Sequence, residues 1–179
     1  MIFNIRKIFI IILFFAFLPT KAFANILNDP GKLSDLLQVI DVSYVAGMAI
    51  MEKDNTGIKE YAKALLSTQL TVEGLKALKL ERRPDGSNWR SFPSGHTAAV
   101  FTAAFFAHKR YGLRAAAIPY AIAYLTAAQR VFCKAHYTHD VIFGAAIAGL
   151  FNYFFVDKYS NFSLYSGDKM IGGTYRITF

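Results

Sequence analysis

Apolar segments of helical length, separated by short polar breaks, fill most of this chain between residues 36 and 159. In 58–80 the apolar positions recur every three or four residues, which predicts an amphipathic helix. The remaining segments are apolar along most of their length: 36–51, 94–110, 113–132 and 138–159. Because a helix must bury its apolar face against another element, these segments predict an all-α fold, a helical bundle of about five to six helices.

The composition indicates contact with a membrane but does not establish it. Of the residues, 54% are hydrophobic and 18% are charged, against about 25% charged in an ordinary soluble domain. The uncharged runs 115–129 and 141–156 are shorter than the ~18 residues typical of a transmembrane helix. They could be short spans with charged flanks or buried helices of a soluble bundle.

The N-terminal segment predicts export. Residues 1–24 have a basic start, an apolar run over 8–18 and a small-x-small end at Ala22 and Ala24, the pattern of a cleaved signal peptide. An uncleaved anchor helix is the alternative. Loss of the segment removes three cations and no acids, so the net charge falls from +8 to +5. The dispersed cations form no basic stripe, which argues against a nucleic-acid partner and for a phosphorylated substrate or an anionic membrane surface.

Two domain boundaries follow from these patterns. We expect a signal peptide over 1–24, a helical domain over 25–158 and a C-terminal tail over 159–179. The tail ends in "GGTYRITF", whose alternating apolar and polar residues have the period of a strand, so it is expected to be short and extended. The single Cys133 excludes an intramolecular disulfide framework.

The first of three polar clusters contains Lys76, Arg83 and Pro84. If the helix continued to Arg83, the seven-residue spacing would place both cations on nearly one face, where they could bind an anion with several oxygens. A solvated basic surface is the plainer interpretation of the same residues.

The second cluster, Ser94, Gly95 and His96, follows Pro93 at the start of an apolar helix. Ser94 suits the N-cap position, and the first-turn N–H groups together with the helix dipole make such an end a binding site for phosphate. Gly95 would allow close approach of the backbone, and His96 could give a proton to a leaving oxygen. A structural histidine is the alternative.

The third cluster contains Arg130, His136 and Asp140. The four-residue spacing of His136 and Asp140 lets a carboxylate reach an imidazole across one helical turn. A carboxylate on Nδ1 leaves the Nε2 lone pair available for attack on phosphorus. His139 points in another direction, and we expect either a structural role for it or a position at the rim of the site.

Together, Lys76-x6-Arg83-Pro84, Pro93-Ser94-Gly95-His96 and Arg130-x5-His136-x3-Asp140 resemble the three signature motifs of the type 2 phosphatidic acid phosphatase superfamily. This superfamily includes bacterial acid phosphatases and vanadium haloperoxidases. The resemblance covers 76–140 closely and extends by helical layout to about 36–157. One departure is Gln129, where the family usually has a serine that is a lesser phosphate contact.

The resemblance implies a role for each matching residue. His136 would be the nucleophile that forms a phosphohistidine, Asp140 its orienting carboxylate and His96 the general acid. The phosphate-binding residues would be Lys76, Arg83, Ser94, Gly95 and Arg130. No cofactor and no metal is expected, because three cations and a helix N-terminus already offset the charge of the transferred phosphoryl group.

These inferences predict an exported phosphatase that hydrolyses phosphomonoesters, with a lipid phosphate or lipid diphosphate as substrate. The site would face the periplasm from the cytoplasmic membrane or lie within the periplasm. One alternative is a soluble periplasmic acid phosphatase with small substrates, and a haloperoxidase is a more remote one. A third, of a different class, is a catalytically inactive membrane protein that binds anionic lipids.

Overall fold

The computed structural model describes residues 30–167 and 170–177, and these residues form five helices followed by a β-hairpin. The helices are α1 Pro30–Met51, α2 Asn55–Ala77, α3 Gly95–Tyr111, α4 Leu113–Phe132 and α5 Thr138–Phe155. The expected all-α bundle is confirmed. The expected signal peptide lies outside the described residues, and the division into signal peptide, helical domain and tail stays a prediction.

Helix α3 is the central element of the bundle, and it packs against α2, α4 and α5. It is rich in alanine, and its alanines are buried on several faces. Small side chains let three neighbouring helices approach one helix closely, which explains why this segment shows no amphipathic pattern.

The apolar core has two parts that meet at α3. In one part, Val45 of α1 and Tyr61 of α2 pack with Phe106 of α3. In the other, Phe101 of α3 packs with Ala123 of α4 and with residues of α5. The bundle is therefore fixed by side chains that α3 presents to every neighbour.

A buried ion pair joins the start of α2 to the end of α3. The Arg110 guanidinium donates to both carboxylate oxygens of Asp54, over 2.6 and 2.7 Å, and Tyr111 Oη donates to the same carboxylate. Arg110 also contacts Glu60 at 3.1 Å. These bonds satisfy the charges that the fold buries, as burial of charge requires.

Among the helix boundaries that differ from the predicted ones, two affect the site. Helix α1 begins at Pro30 rather than at residue 36, so Ser34 lies inside a helix. Helix α2 ends at Ala77, where a turn with Lys79 at a φ of 51° follows. Proline is tolerated in the first turn of a helix, so Pro30 does not interrupt α1.

Among the helices of the described residues, α1 is the one that is long and apolar enough to cross a membrane. Its segment Gly31–Met51 has a mean hydropathy of 1.4, and only 22% of it is buried within the protein. At the other end of the chain, strands β1 Ser160–Gly167 and β2 Met170–Ile177 pair antiparallel, with Ser160 opposite Ile177. The extended tail is thus a two-stranded hairpin.

Candidate active site

The pair His136 and Asp140 lies where α5 begins. Both side chains are buried, and Nδ1 of His136 is 3.4 Å from Oδ2 of Asp140. The same Oδ2 accepts hydrogen bonds from Ser91 Oγ at 2.5 Å and from the Tyr137 N–H at 2.9 Å. These donors hold the carboxylate beside the imidazole.

The protonation states of this pair follow from burial and from their mutual contact. Burial lowers the pKa of His136, opposed by Asp140 and reinforced by the charges of Arg130 and Arg83. Burial would raise the pKa of Asp140, but the adjacent His136 imidazole and the hydrogen bonds from Ser91 and Tyr137 outweigh it, so this pKa is lowered. The arrangement favours a neutral imidazole beside a carboxylate anion.

A backbone hydrogen bond joins this pair to the start of α3. The Ser94 N–H donates to the carbonyl oxygen of Asp140 at 3.0 Å. Gly144, one turn further along α5, permits this contact, since a Cβ there would lie 2.6 Å from the Ser94 carbonyl oxygen. Because real Cβ atoms do not approach that closely, any larger residue would push α3 and α5 apart.

The N-terminus of α3 differs in one detail from the expectation. Ser94 is the N-cap residue, but its hydroxyl makes no capping bond and instead pairs with Thr97 Oγ1 at 3.0 Å. Gly95 brings the helix close to a cation, because a Cβ at this position would lie 3.0 Å from Nζ of Lys76. Helix N–H groups and an ammonium group therefore meet at this point, a combination that attracts anions.

His96 contacts a carboxylate on α1. Its Nε2–H donates to Oδ1 of Asp35 at 2.6 Å, with the His96 side chain about one quarter exposed, at 26%. Burial lowers the pKa of His96, the Asp35 carboxylate raises it, and the charges of Arg130 and Lys76 lower it; the net change is downward. Asp35 does not belong to any of the three motifs.

The two cations of the first motif lie in different elements, a helix and a loop, which the helical spacing did not predict. Lys76 lies in the last turn of α2, buried, with Glu73 at 3.5 Å. Arg83 follows in the loop after the helix, so the two cations do not share a helix face, and the expectation based on helix continuity is wrong. Burial lowers the pKa of Lys76, the Glu73 carboxylate opposes this, and the charge of Arg83 adds to the lowering.

Arg130, at the end of α4, brings the third cation. Its side chain is buried, and Nη1 donates to Ser34 Oγ at 3.1 Å. Ser34 Oγ in turn donates to the side-chain carbonyl of Gln129. Gln129, the departure from the usual serine, thus supports Arg130 indirectly through α1.

Several buried polar atoms of these residues have no hydrogen-bond partner within the described part of the chain. They include Nε of Arg83, Nε of Arg130 and Nδ1 of His136. A buried donor without an acceptor costs free energy, so the two guanidinium Nε–H donors, of Arg83 and Arg130, need an explanation. An anionic ligand would supply the missing acceptors.

The structure brings residues of all three motifs into one region, although they come from separate helix ends and a loop. It also adds side chains outside the motifs that the sequence reasoning missed: Ser34, Asp35, Gln69, Glu73 and Ser91. Each is a polar residue next to or within an apolar helix, but nothing in its sequence position showed which motif it contacts. Chemically, the region combines an anion site with a buried imidazole and a second, more exposed imidazole.

The chain is similar to known proteins in sequence and in fold. A sequence model of the PAP2 superfamily matches residues 56–163. Lipid A 4′-phosphatase of Helicobacter pylori is 32% identical over 152 residues, which are 79% of this chain and 75% of the relative. Lipid A 1-phosphatase of Porphyromonas gingivalis is 40% identical over 68 residues, 36% of this chain and only 15% of that protein.

A solved structure shares the fold. The crystal structure of Aquifex aeolicus LpxE superposes with a TM-score of 0.53 at 25% identity, over 66% of this chain and 84% of the other. The superfamily match includes all three motifs and more than half of the chain. The chain therefore belongs to the PAP2 superfamily and is a hydrolase of phosphomonoesters, as its motifs predicted.

Proposed function

We propose that this protein removes phosphate from a phosphorylated lipid of the lipid A type through a phosphohistidine intermediate. The observation that carries the proposal is the bond from the Ser94 N–H to the Asp140 carbonyl oxygen, because it places the anion-binding start of α3 beside the His136–Asp140 pair. An anion held at the helix start is then next to a buried, neutral imidazole.

In the first step, Nε2 of His136 attacks phosphorus while Asp140 stabilises the imidazolium that forms. Lys76, Arg83 and Arg130, with the backbone donors of α3, neutralise the charge on the phosphoryl oxygens. Electrostatic stabilisation of this kind is the main catalytic contribution in phosphoryl transfer.

His96 acts as the general acid for the leaving oxygen. Its Nε2–H is engaged with Asp35, so the protonated ring carries its second proton on Nδ1. After the alcohol leaves, the neutral ring takes a proton from water, which attacks the phosphohistidine and releases inorganic phosphate. No step requires a metal ion or an organic cofactor.

Two features support a lipid substrate. The relatives with the greatest similarity reported above are lipid A phosphatases. Large apolar side chains are exposed within a few residues of the site residues, including Leu78, Trp89 and Phe132, the last of them 85% exposed. Apolar side chains beside a cationic phosphate site suit a ligand with acyl chains.

We further propose that the protein is exported and acts at the periplasmic side of the membrane. The predicted signal peptide over 1–24 and the apolar helix Gly31–Met51 support this location. A soluble acid phosphatase with small substrates is the competing function, and the test below separates the two.

The test is phosphate release from detergent-dispersed lipid A and from a small soluble phosphomonoester, without added metal. The wild type should prefer the lipid, and His136→Ala should lose turnover of both substrates. His108→Ala is the matched control, since His108 is an exposed histidine bonded to Tyr120. Equal or better turnover of the soluble ester would reject the lipid preference, and full turnover in folded His136→Ala would reject the nucleophile.

A further inference from the structure

Three side chains that could bind a metal ion converge next to the site, and the mechanism uses only one of them, Asp140. Glu81, His139 and Asp140 each offer one ligand atom, and these atoms lie within 4.8 Å of one another. Nε2 of His139 is 2.7 Å from Oε2 of Glu81 and 3.5 Å from Oδ1 of Asp140. Glu81 comes from the loop after α2, whereas the other two residues belong to the first turn of α5.

The two oxygens of the Asp140 carboxylate differ in their hydrogen bonds. Its Oδ2 accepts the bonds from Ser91 and Tyr137, while Oδ1 is buried and has no hydrogen-bond partner in the described part of the chain. Asp140 itself is 0% exposed. A buried carboxylate oxygen without a donor is costly, and a cation can remove that cost. This oxygen faces His139, so it points into the cluster.

The donor set and its spacing suit a small transition-metal ion. One imidazole nitrogen with carboxylate oxygens is a set that Zn²⁺ accepts, whereas Mg²⁺ prefers oxygen ligands alone. Ligand atoms about 2.0–2.1 Å from a tetrahedral Zn²⁺ lie about 3.3 Å from one another. The separation of His139 from Asp140 already fits that geometry, and the half-exposed His139 and partly exposed Glu81 can move apart by the required few tenths of an ångström.

We propose that Glu81, His139 and Asp140 form a binding site for Zn²⁺ or a similar divalent transition-metal ion, and that occupancy of this site inhibits the phosphatase. Inhibition rests on the function proposed above, but binding does not. A cation on Oδ1 draws negative charge away from Oδ2, which lies 3.4 Å from Nδ1 of His136. The carboxylate then stabilises the imidazolium of the attacking His136 less, and turnover falls.

Binding is tested on the full chain after treatment with a chelator, by calorimetric titration with Zn²⁺ and by the visible absorption of added Co²⁺. We expect one bound ion per chain in the wild type. His139→Ala and Glu81→Gln should each weaken binding at least tenfold, because even loss of a residue that only supports a metal ligand costs about 10–100-fold in affinity. His108→Ala removes an exposed histidine outside the cluster and should bind as the wild type does.

Absence of saturable binding, or equal affinity in His139→Ala and the wild type, would overturn the site. Inhibition is measured separately, as release of the coloured alcohol from a soluble phosphomonoester with increasing Zn²⁺. Turnover should fall in the wild type, recover with chelator and fall much less in His139→Ala, each protein compared with its own metal-free rate.

The outcomes distinguish the two proposals. Binding with unchanged turnover would overturn the inhibition and leave the site intact. No turnover of any ester by the metal-free wild type would reject the proposed function, while the Zn²⁺ and Co²⁺ titrations would still decide the metal site.

Discussion

The Ser94 N–H and the Asp140 carbonyl oxygen, 3.0 Å apart, join the second and third motifs through the backbone alone. Gly144 lies against this junction, and a Cβ there would be 2.6 Å from the Ser94 carbonyl oxygen and 3.4 Å from the Ala98 nitrogen. The distance between the start of α3 and the His136–Asp140 pair therefore depends on a glycine outside every motif.

Gly144→Ala should lower both stability and turnover. Backbone atoms cannot move aside as a side chain can, so we expect a loss of about 1–3 kcal/mol in unfolding free energy, the usual cost of overpacking. Gly74→Ala is the control, because a Cβ there meets nothing within 4 Å and alanine favours the helix. Urea unfolding of both variants, with their kcat, checks this; an unaffected Gly144→Ala would contradict the close approach.

Arg83→Ala should weaken phosphate and vanadate binding and lower kcat/KM by about 10- to 100-fold, as expected for the loss of hydrogen bonds between charged groups. The ligand-free variant should lose little stability, since Nε of Arg83 is buried without a partner. Arg82→Ala is the matched control, because Arg82 is exposed and bonds to the Gly86 carbonyl. Equal kinetic losses in both variants would refute a specific role for Arg83.

Asp35→Asn should shift the pH dependence of kcat/KM. The Asp35 carboxylate raises the pKa of His96 against burial, so its removal lowers that pKa further. A general acid works only when protonated, and activity is lost as pH rises through its pKa. The alkaline limb should therefore move to lower pH in Asp35→Asn, while Asp35→Glu keeps the charge and should largely restore it. If the alkaline limb of the Asp35→Asn profile did not move, Asp35 would not control the pKa of the general acid.

Asp54→Asn should destabilise the fold by about 1.5–3 kcal/mol at neutral pH, because it removes the charge of the carboxylate that pairs with the buried Arg110, while Glu60 keeps its charged contact with Arg110. Burial raises the pKa of Asp54, but bonds from Arg110, Gly57 and Tyr111 lower it overall. The carboxylate thus stabilises the fold above its unfolded pKa of about 3.9 and loses this effect as pH falls through the lower, folded value. The unfolding free energies of the wild type and Asp54→Asn, measured at pH 7 and near pH 3, should differ less at the lower pH. Asp157→Asn changes an exposed carboxylate and is the control; its unfolding free energy should remain near that of the wild type.

Helix positions and the three motifs were accessible from sequence because both depend on local pattern. Apolar periodicity predicted α2 with both ends displaced by three residues, and spacing alone paired His136 with Asp140. The route of Arg83 to the site was missed, because its seven-residue spacing from Lys76 suggests a continuous helix, whereas α2 ends at Ala77. The turn after α2 has Lys79 in the left-handed region where glycine is usual, so no glycine in the sequence indicated this turn.

By itself the sequence determined the all-α class, the three motifs and the superfamily, since residue type and spacing along one chain are enough to specify them. The tertiary structure alone decided that Asp35 of α1 contacts His96, that Ser34 contacts Arg130 and that Glu81 faces His139. These partners are far apart in the chain. Their contacts follow from how α1 and the loop after α2 pack against the ends of α3, α4 and α5, and packing of distant segments leaves no regular spacing in the sequence.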